Sequence, residues 1–219
     1  MRLSIIIPVF NVEKYIGPCL ESIYRQGLSD RDFEVIGVND GSTDNSMKVV
    51  EEIRGHHDNI QIIHQNHDGP SVCRNAGIVM AKGDYVLFVD SDDLLMDNGL
   101  SMLLRKALET AADMVVADFM RQNDDEIISV YDAQLTDTHV VDKSGLDYYV
   151  EDYDPGVGSF IWRILYRRSF LNRHHIRLMP GVYYEDIPFL QECLLKAQRV
   201  IGIHLLYYIY RIRQRSCTY

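Results

Sequence analysis

Cysteine is scarce and scattered. Cys19, Cys73, Cys193 and Cys217 are the four in 219 residues, and they form no C-x-x-C pair and no Cys/His cluster at zinc-finger spacing. A disulfide scaffold and a structural zinc module are thereby excluded, and isolated thiols suit a reducing compartment. Long apolar runs are missing too. The longest nearly uncharged one, Val200 to Tyr210, has 11 residues and includes His204, whereas a spanning helix needs about 20. Met1 to Phe10 begins like a signal peptide, but Ser4 and Pro8 interrupt it and Glu13 follows without a small-residue cleavage site, so it reads as a buried strand. There is no G-x-G-x-x-G and no G-x-x-x-x-G-K-[ST], which sets aside a dinucleotide-dependent dehydrogenase and a P-loop protein. Positive charge is short as well. Lys and Arg number 22 against 32 Asp and Glu, a net charge of −10, which argues against nucleic acid as a general partner.

What is present is a globular chain of one domain, 47% apolar and 25% charged. Its charge is divided. From Phe160 onward there are ten basic residues and three acids, a net of +7, and the first 159 residues carry −17. An acidic front half suits metal or hydroxyl recognition; a basic back half suits phosphate, an anionic membrane surface or a plain solvated face. The first hundred residues alternate. Leu3–Val9, Phe33–Val38, Ile60–His64 and Asp84–Val89 read as strands, and Lys14–Gln26, Thr43–Arg54 and Pro70–Lys82 as helices. Pro18 requires the first helix to start late, and Ser42 or Thr43 is the expected cap of the second. Further on, a helix is expected after Asp97 up to Ala112, then strands at Met114–Phe119 and Ile127–Val130. A loop is expected over Asp132–Asp142, a helix at Leu146–Glu151, a loop marked by Gly156 and Gly158, a strand at Phe160–Tyr166, a helix at Glu185–Ala197 and an extended run at Val200–Ile212. Such alternation implies right-handed βαβ units in a mostly parallel, Rossmann-like sheet with helices on both faces, and ligands at the carboxyl ends of the strands.

Those strand ends carry the chemistry. The first runs into Pro8-Val9-Phe10-Asn11, a turn. The second runs into Asn39-Asp40-Gly41-Ser42, where Asp40 is a carboxylate placed to accept hydrogen bonds from a nucleobase. The third leads to a helix whose early turns hold Arg74, suited to reinforcing phosphate binding at a helix N-terminus. The fourth ends in Asp90-Ser91-Asp92-Asp93, three acids in four residues. Such crowding is relieved by a divalent cation sharing oxygen ligands with a substrate phosphate. Glu185-Asp186 stands at a helix start, where one of the pair is a general base or both are ordinary first-turn acids.

The segments SIIIPVFNVEKYIGPCLESI, VNDGSTDNS, DGPSVCRNAG, GDYVLFVDSDD and YYEDIPF, with WRILYRRSFL and YYIYRIRQRS, resemble the family 2 glycosyltransferases of bacterial type, which have the nucleotide-diphospho-sugar transferase (GT-A) fold. Each motif is weak alone; their order and spacing across nearly the full chain are specific. The resemblance implies a single domain over 1–219, with a nucleotide-sugar-binding half at 1–95 and an acceptor-binding half at 96–219. Many members continue further at the C-terminus, so the acceptor half is expected to be short. By matching position, Pro8, Val9, Phe10, Asn11 and Glu13 line the nucleoside pocket and Asp40 meets a uracil-type base. Arg74 approaches the diphosphate, and Asp90 and Ser91 lie by the ribose. Asp92 holds Mn2+ or Mg2+, and Asp186 is the base of an inverting transfer, kept ionised by its helix N-terminus. Val72-Cys73 departs from the small pair usual before Arg-Asn, and Arg211 and Arg213 are candidates to close over the diphosphate.

The implied activity is transfer of a sugar from a nucleotide diphosphate, with a lean to UDP, to a saccharide or lipid-linked saccharide. The implied setting is bacterial surface polysaccharide or glycolipid assembly, in the cytoplasm or peripherally on the cytoplasmic face of the membrane. Two rivals are a non-catalytic nucleotide-sugar-binding module and a sugar-nucleotide pyrophosphorylase of the same fold. The pyrophosphorylase wants a glycine-rich signature after the first strand, and none is present.

Overall fold

The computed structural model describes residues 1–123, 141–153 and 159–212, together with the backbone of 126–131. Gly156, Gly158, Arg213, Cys217 and most of the expected 132–142 loop lie outside the described residues. The front half alternates as its periodicity requires: β1 (Leu3–Val9), α1 (Ile16–Tyr24), β2 (Phe33–Asn39), α2 (Ser46–Arg54), β3 (Ile60–His64), α3 (Pro70–Met80) and β4 (Tyr85–Phe88). Then come β5 (Leu94–Leu95), α4 (Gly99–Thr110), β6 (Met114–Asn123), β7 (Glu126–Tyr131), β8 (Val141–Lys143) and α5 (Gly145–Glu151). β9 (Ile164–Arg167), α6 (Arg168–Arg173), α7 (Asp186–Lys196) and β10 (Val200–Ile212) complete the order.

One sheet runs β3-β2-β1-β4-β9-β6-β10-β5. Strands β1 to β4 are parallel to their neighbours, β9 is inserted antiparallel between β4 and β6, and β10 is again parallel to β6. The carboxyl ends of β1, β2, β4, β6 and β10 therefore share one edge. Alternate residues of β1 feed two cores. Leu3, Ile5, Ile7 and Val9 pack with α1, α2 and α4, while Ile6 packs with α3, α6 and α7 on the other face. Each fully buried Ile or Leu contributes about 1.5–3 kcal/mol, so both faces are needed. Gly77 sets how close α3 comes to β1: a Cβ there would stand 2.3 Å from Ile6 Cγ2.

Several boundaries differ from the sequence reading. α1 starts at Ile16, not Lys14, which puts Pro18 in its first turn, where its missing N–H costs nothing. α2 starts at Ser46 and is not capped by Ser42 or Thr43, because the loop before it is bonded elsewhere. Ile161–Arg163 is a 3-10 turn, so the strand expected from Phe160 begins only at Ile164. The end of the expected loop, Val141–Lys143, is an edge strand paired antiparallel with β10. β5 and α6 carry too few residues to show a period.

Candidate functional site

The β1–α1 and β2–α2 loops are stitched into one rim. Asn11, at φ 50°, accepts at its side-chain oxygen from Thr43 N at 2.9 Å and Asp44 N at 3.4 Å. Glu13 accepts from Asn45 N and Asn45 Nδ2, both at 3.0 Å, and its own N–H donates to Asp44 Oδ2 at 3.0 Å. Burial acts to raise Asp44, but donors from Ser46 and Glu13 outweigh it and hold the carboxylate below its ordinary range. Asn11 and Glu13 are thus at the expected edge, with their carbonyl and carboxylate groups spent on backbone N–H groups. Pro8 stays within the β1–β2 ladder opposite Val38, and Val9 turns its side chain into the core and offers the edge only backbone. Phe10 is exposed and stacks on His67, ring centroids 4.2 Å apart.

Asp40 is only 4% exposed. Its oxygens accept from the backbone N–H groups of Asp68, at 2.8 Å, and Gly69, at 3.1 Å, and His67 Nδ1 lies 3.3 Å from Oδ2. Gly69 has φ 89° directly before α3, a left-handed conformation that favours glycine. Asp40 therefore organises the entry to α3.

Arg74 is buried in the first turns of α3, yet its guanidinium meets protein carboxylates. Its two terminal nitrogens donate to Asp90 Oδ1 at 2.8 Å and to Glu185 Oε1 at 2.7 Å. Burial disfavours the cation, but those two carboxylates outweigh it and push the group above its ordinary range. One side chain thus ties the end of β4 to the start of α7, 111 residues further along the chain than Arg74 itself. Nε of Arg74 is buried without a hydrogen-bond partner.

In the Asp90–Asp93 turn, Ser91 is buried and Asp93 is fully buried. Burial first, then the charges of Asp92 and Asp90, push Asp93 well above the carboxylate range. Among the described residues no group of three or more His, Cys, Asp or Glu side chains is placed to hold a metal. Asp90 is engaged by Arg74, and Asp93 by Tyr208 and the Arg211 backbone. A cation at this turn would thus need phosphate oxygens and water as ligands beside a carboxylate, rather than being held by the protein alone.

Asp186 opens α7 beside Glu185. Burial, followed by the Glu185 charge, pushes its carboxyl up to about 6. Desolvation and a like charge thus outweigh the helix dipole, and the carboxyl still loses its proton below neutral pH. The segment leading to it is open, with Tyr183 and Tyr184 exposed. Tyr208, Glu185 as partner of Arg74, and the His67–Phe10 stack had no assigned place in the sequence reading. Tyr208 lies within the YYIYR segment, where a strand pattern gives no sign of which hydroxyl turns inward.

A mostly parallel sheet with helices on both faces and an acidic turn at its carboxyl edge defines a protein of the GT-A class. A model described as Glycosyl transferase family 2 matches residues 4–172, and the chain belongs to that family. It is 34% identical over 218 residues to the glycosyltransferase EpsJ of Bacillus subtilis, covering 99% of this chain and 62% of that protein. It is 37% identical over 118 residues to the poly(ribitol-phosphate) beta-glucosyltransferase of Bacillus spizizenii, covering 53% of this chain and 19% of that protein. Its structure is similar to that of S. aureus TarS 1-349 in complex with UDP-GlcNAc, with a TM-score of 0.84 and 27% identity over 99% of this chain and 60% of that one. The chain thus spans less than two thirds of these relatives. No helix among the described residues is long and apolar enough to cross a membrane.

Proposed function

We propose that this chain moves a sugar from a nucleotide diphosphate, UDP by preference, to a hydroxyl of a saccharide or lipid-linked acceptor, with inversion at the anomeric carbon. The observation that carries the reading is the Arg74 bridge. It ties the Asp90 turn, which suits a diphosphate and cation, to the helix start that presents Asp186. The similar TarS structure, solved with UDP-GlcNAc, supports the nucleotide.

Asp40 and the edge backbone at Pro8 to Asn11 take the nucleoside, with the Phe10–His67 stack beside them, and Glu13 holds that rim together. Asp90 and Ser91 lie by the ribose, and Asp92 faces the diphosphate. A divalent cation, Mn2+ or Mg2+, bound there would offset the charge that develops on the leaving diphosphate. Asp186 takes the proton of the acceptor hydroxyl as its oxygen bonds to the anomeric carbon. The bond from that carbon to the phosphate oxygen breaks, and the diphosphate leaves with the electron pair. A carboxyl near 6 is ionised enough at neutral pH to accept that proton and basic enough to hold it.

The acceptor we infer belongs to bacterial surface polysaccharide or glycolipid assembly, at the cytoplasm or its membrane face; the name of one relative, a poly(ribitol-phosphate) beta-glucosyltransferase, supports a polymeric acceptor. Calorimetry of UDP with Mn2+, repeated in EDTA, together with donor hydrolysis, tests the reading. Affinity and turnover indifferent to EDTA would remove the cation. Absent hydrolysis and transfer despite UDP binding would favour a binding module.

A further inference from the structure

Asp93 is the third acid of the turn, and a single strand engages both its carboxylate oxygens. Tyr208 of β10 donates its hydroxyl to Oδ2 at 2.9 Å, and the backbone N–H of Arg211 donates to Oδ1 at 2.8 Å. The same Tyr208 oxygen accepts from the backbone N–H of Asp90 at 3.1 Å. The Arg211 side chain donates through Nε to the carbonyl of Asp92 and through a terminal nitrogen to the carbonyl of Tyr15 at 3.4 Å, its guanidinium 5.2 Å from the Tyr15 ring centre. The turn is closed by Asp93 N donating to the Asp90 carbonyl at 3.0 Å. Asp93 and Tyr208 are both wholly buried.

Asp93 therefore faces the strand, not a ligand. The backbone of the turn is gripped on both sides, at Asp90 N and at Asp92 O, by residues more than a hundred positions later in the chain. A turn carrying Asp90 and Asp92 would relax to separate the two charges unless something fixed it. We propose that Asp93 and Tyr208, seconded by Arg211, form a latch through which β10 sets the geometry of the Asp90–Asp92 turn for the diphosphate and its cation. Asp93 and Tyr208 act as positioning residues and touch neither. This rests on the donor reading given above.

The test measures UDP and uridine binding by calorimetry in Mn2+, with a melting curve for every variant. Tyr208→Phe removes the donor to Asp93 Oδ2 and, with it, the acceptor of Asp90 N–H, whereas Asp93→Asn leaves one oxygen for two donors and keeps the side-chain shape if Tyr208→Phe folds poorly. Tyr207→Phe is the control. It removes a neighbouring buried hydroxyl that donates to the Trp162 carbonyl and has no bond to the turn. Each latch variant should weaken UDP about tenfold, the scale of a buried group left unpaired, and weaken uridine by less, because only the ribose side of the turn meets it. The double variant should lose less than the sum of the two singles, because both changes act on the shared Tyr208–Asp93 contact. Tyr207→Phe should lose stability without losing UDP. Wild-type UDP affinity in Tyr208→Phe, a matching loss of uridine, strictly additive losses, or an equal UDP loss in Tyr207→Phe would each overturn the latch. Wild-type protein that binds UDP no better than uridine would instead overturn the donor reading, and the latch with it.

Discussion

Asp186 carries a conflict between stability and chemistry. Its folded carboxyl is raised from the ordinary 3.8 to about 6. The stability it contributes is therefore fully present below about pH 4 and is lost as pH rises through about 6, while the carboxylate proposed above as the base forms over that same window. Turnover should rise with pH through an acid limb near 6, measured with the true acceptor. Asp186→Asn should cut turnover by about 10²–10⁴, leave UDP affinity nearly unchanged, and raise the melting temperature at pH 7, since an uncomfortable charge is gone. A melting temperature that fell, with turnover intact, would return Asp186 to a first-turn role. Glu185 behaves differently. Its charge helps to raise Asp186 and also neutralises Arg74. Glu185→Gln should move the acid limb to lower pH and destabilise the fold by about 1–3 kcal/mol, as one partner of a part-buried charged hydrogen bond is lost. A pH profile that did not move would separate the two acids.

At the scale of elements, the site depends on how α3 seats against β1 and β2. Gly77 permits the approach that brings Arg74 to Asp90 and Glu185. Gly77→Ala should cost about 1–3 kcal/mol by overpacking Ile6, and it should weaken UDP as well, because α3 would have to shift. Chemical denaturation and calorimetry on one sample test both; a stable variant with unaltered UDP binding would show that Ile6 gives way instead. Asp40 anchors the same helix by accepting from Asp68 N and Gly69 N. Asp40→Ala should therefore lose stability, by about 1–3 kcal/mol for the unpaired N–H groups, in addition to UDP affinity. Loss of affinity without loss of stability would make Asp40 a ligand group only.

For the whole molecule, the +7 balance from Phe160 onward overstates the positive surface. Arg163 is buried and donates to Ala117 O, and Arg168 and Arg177 also bond to backbone carbonyls. Arg199 pairs with Asp142, and Arg211 holds the Asp92 carbonyl. A cation spent on an internal partner adds little to an outward field. Exposed basic residues near an anionic bilayer are each worth about 1 kcal/mol, and few of the described ones are disposed that way. Flotation with anionic and neutral vesicles at physiological salt should give equal recovery; strong anionic preference would show that the basic half faces a membrane.

The βαβ alternation, the strand-end location of Asp40 and Asp90 and the place of Arg74 early in a helix follow from local pattern, because apolar periodicity and turn residues act over a few positions, while the family was legible in the order of motifs along the chain. Strand β10 was legible as extended for the same reason. Its bonds were not: Tyr208 meets Asp93 across 115 residues, Arg74 meets Glu185 across 111, and no spacing in the chain encodes such distances. The sequence by itself determined which acids and which arginine stand at one edge of the sheet. Only the tertiary structure decided which carboxylates pair with that arginine, which acid is buried as an anchor, and which carboxyl desolvation lifts to about 6. Charge pairing and desolvation depend on what the folded chain packs around each group, not on its neighbours in sequence.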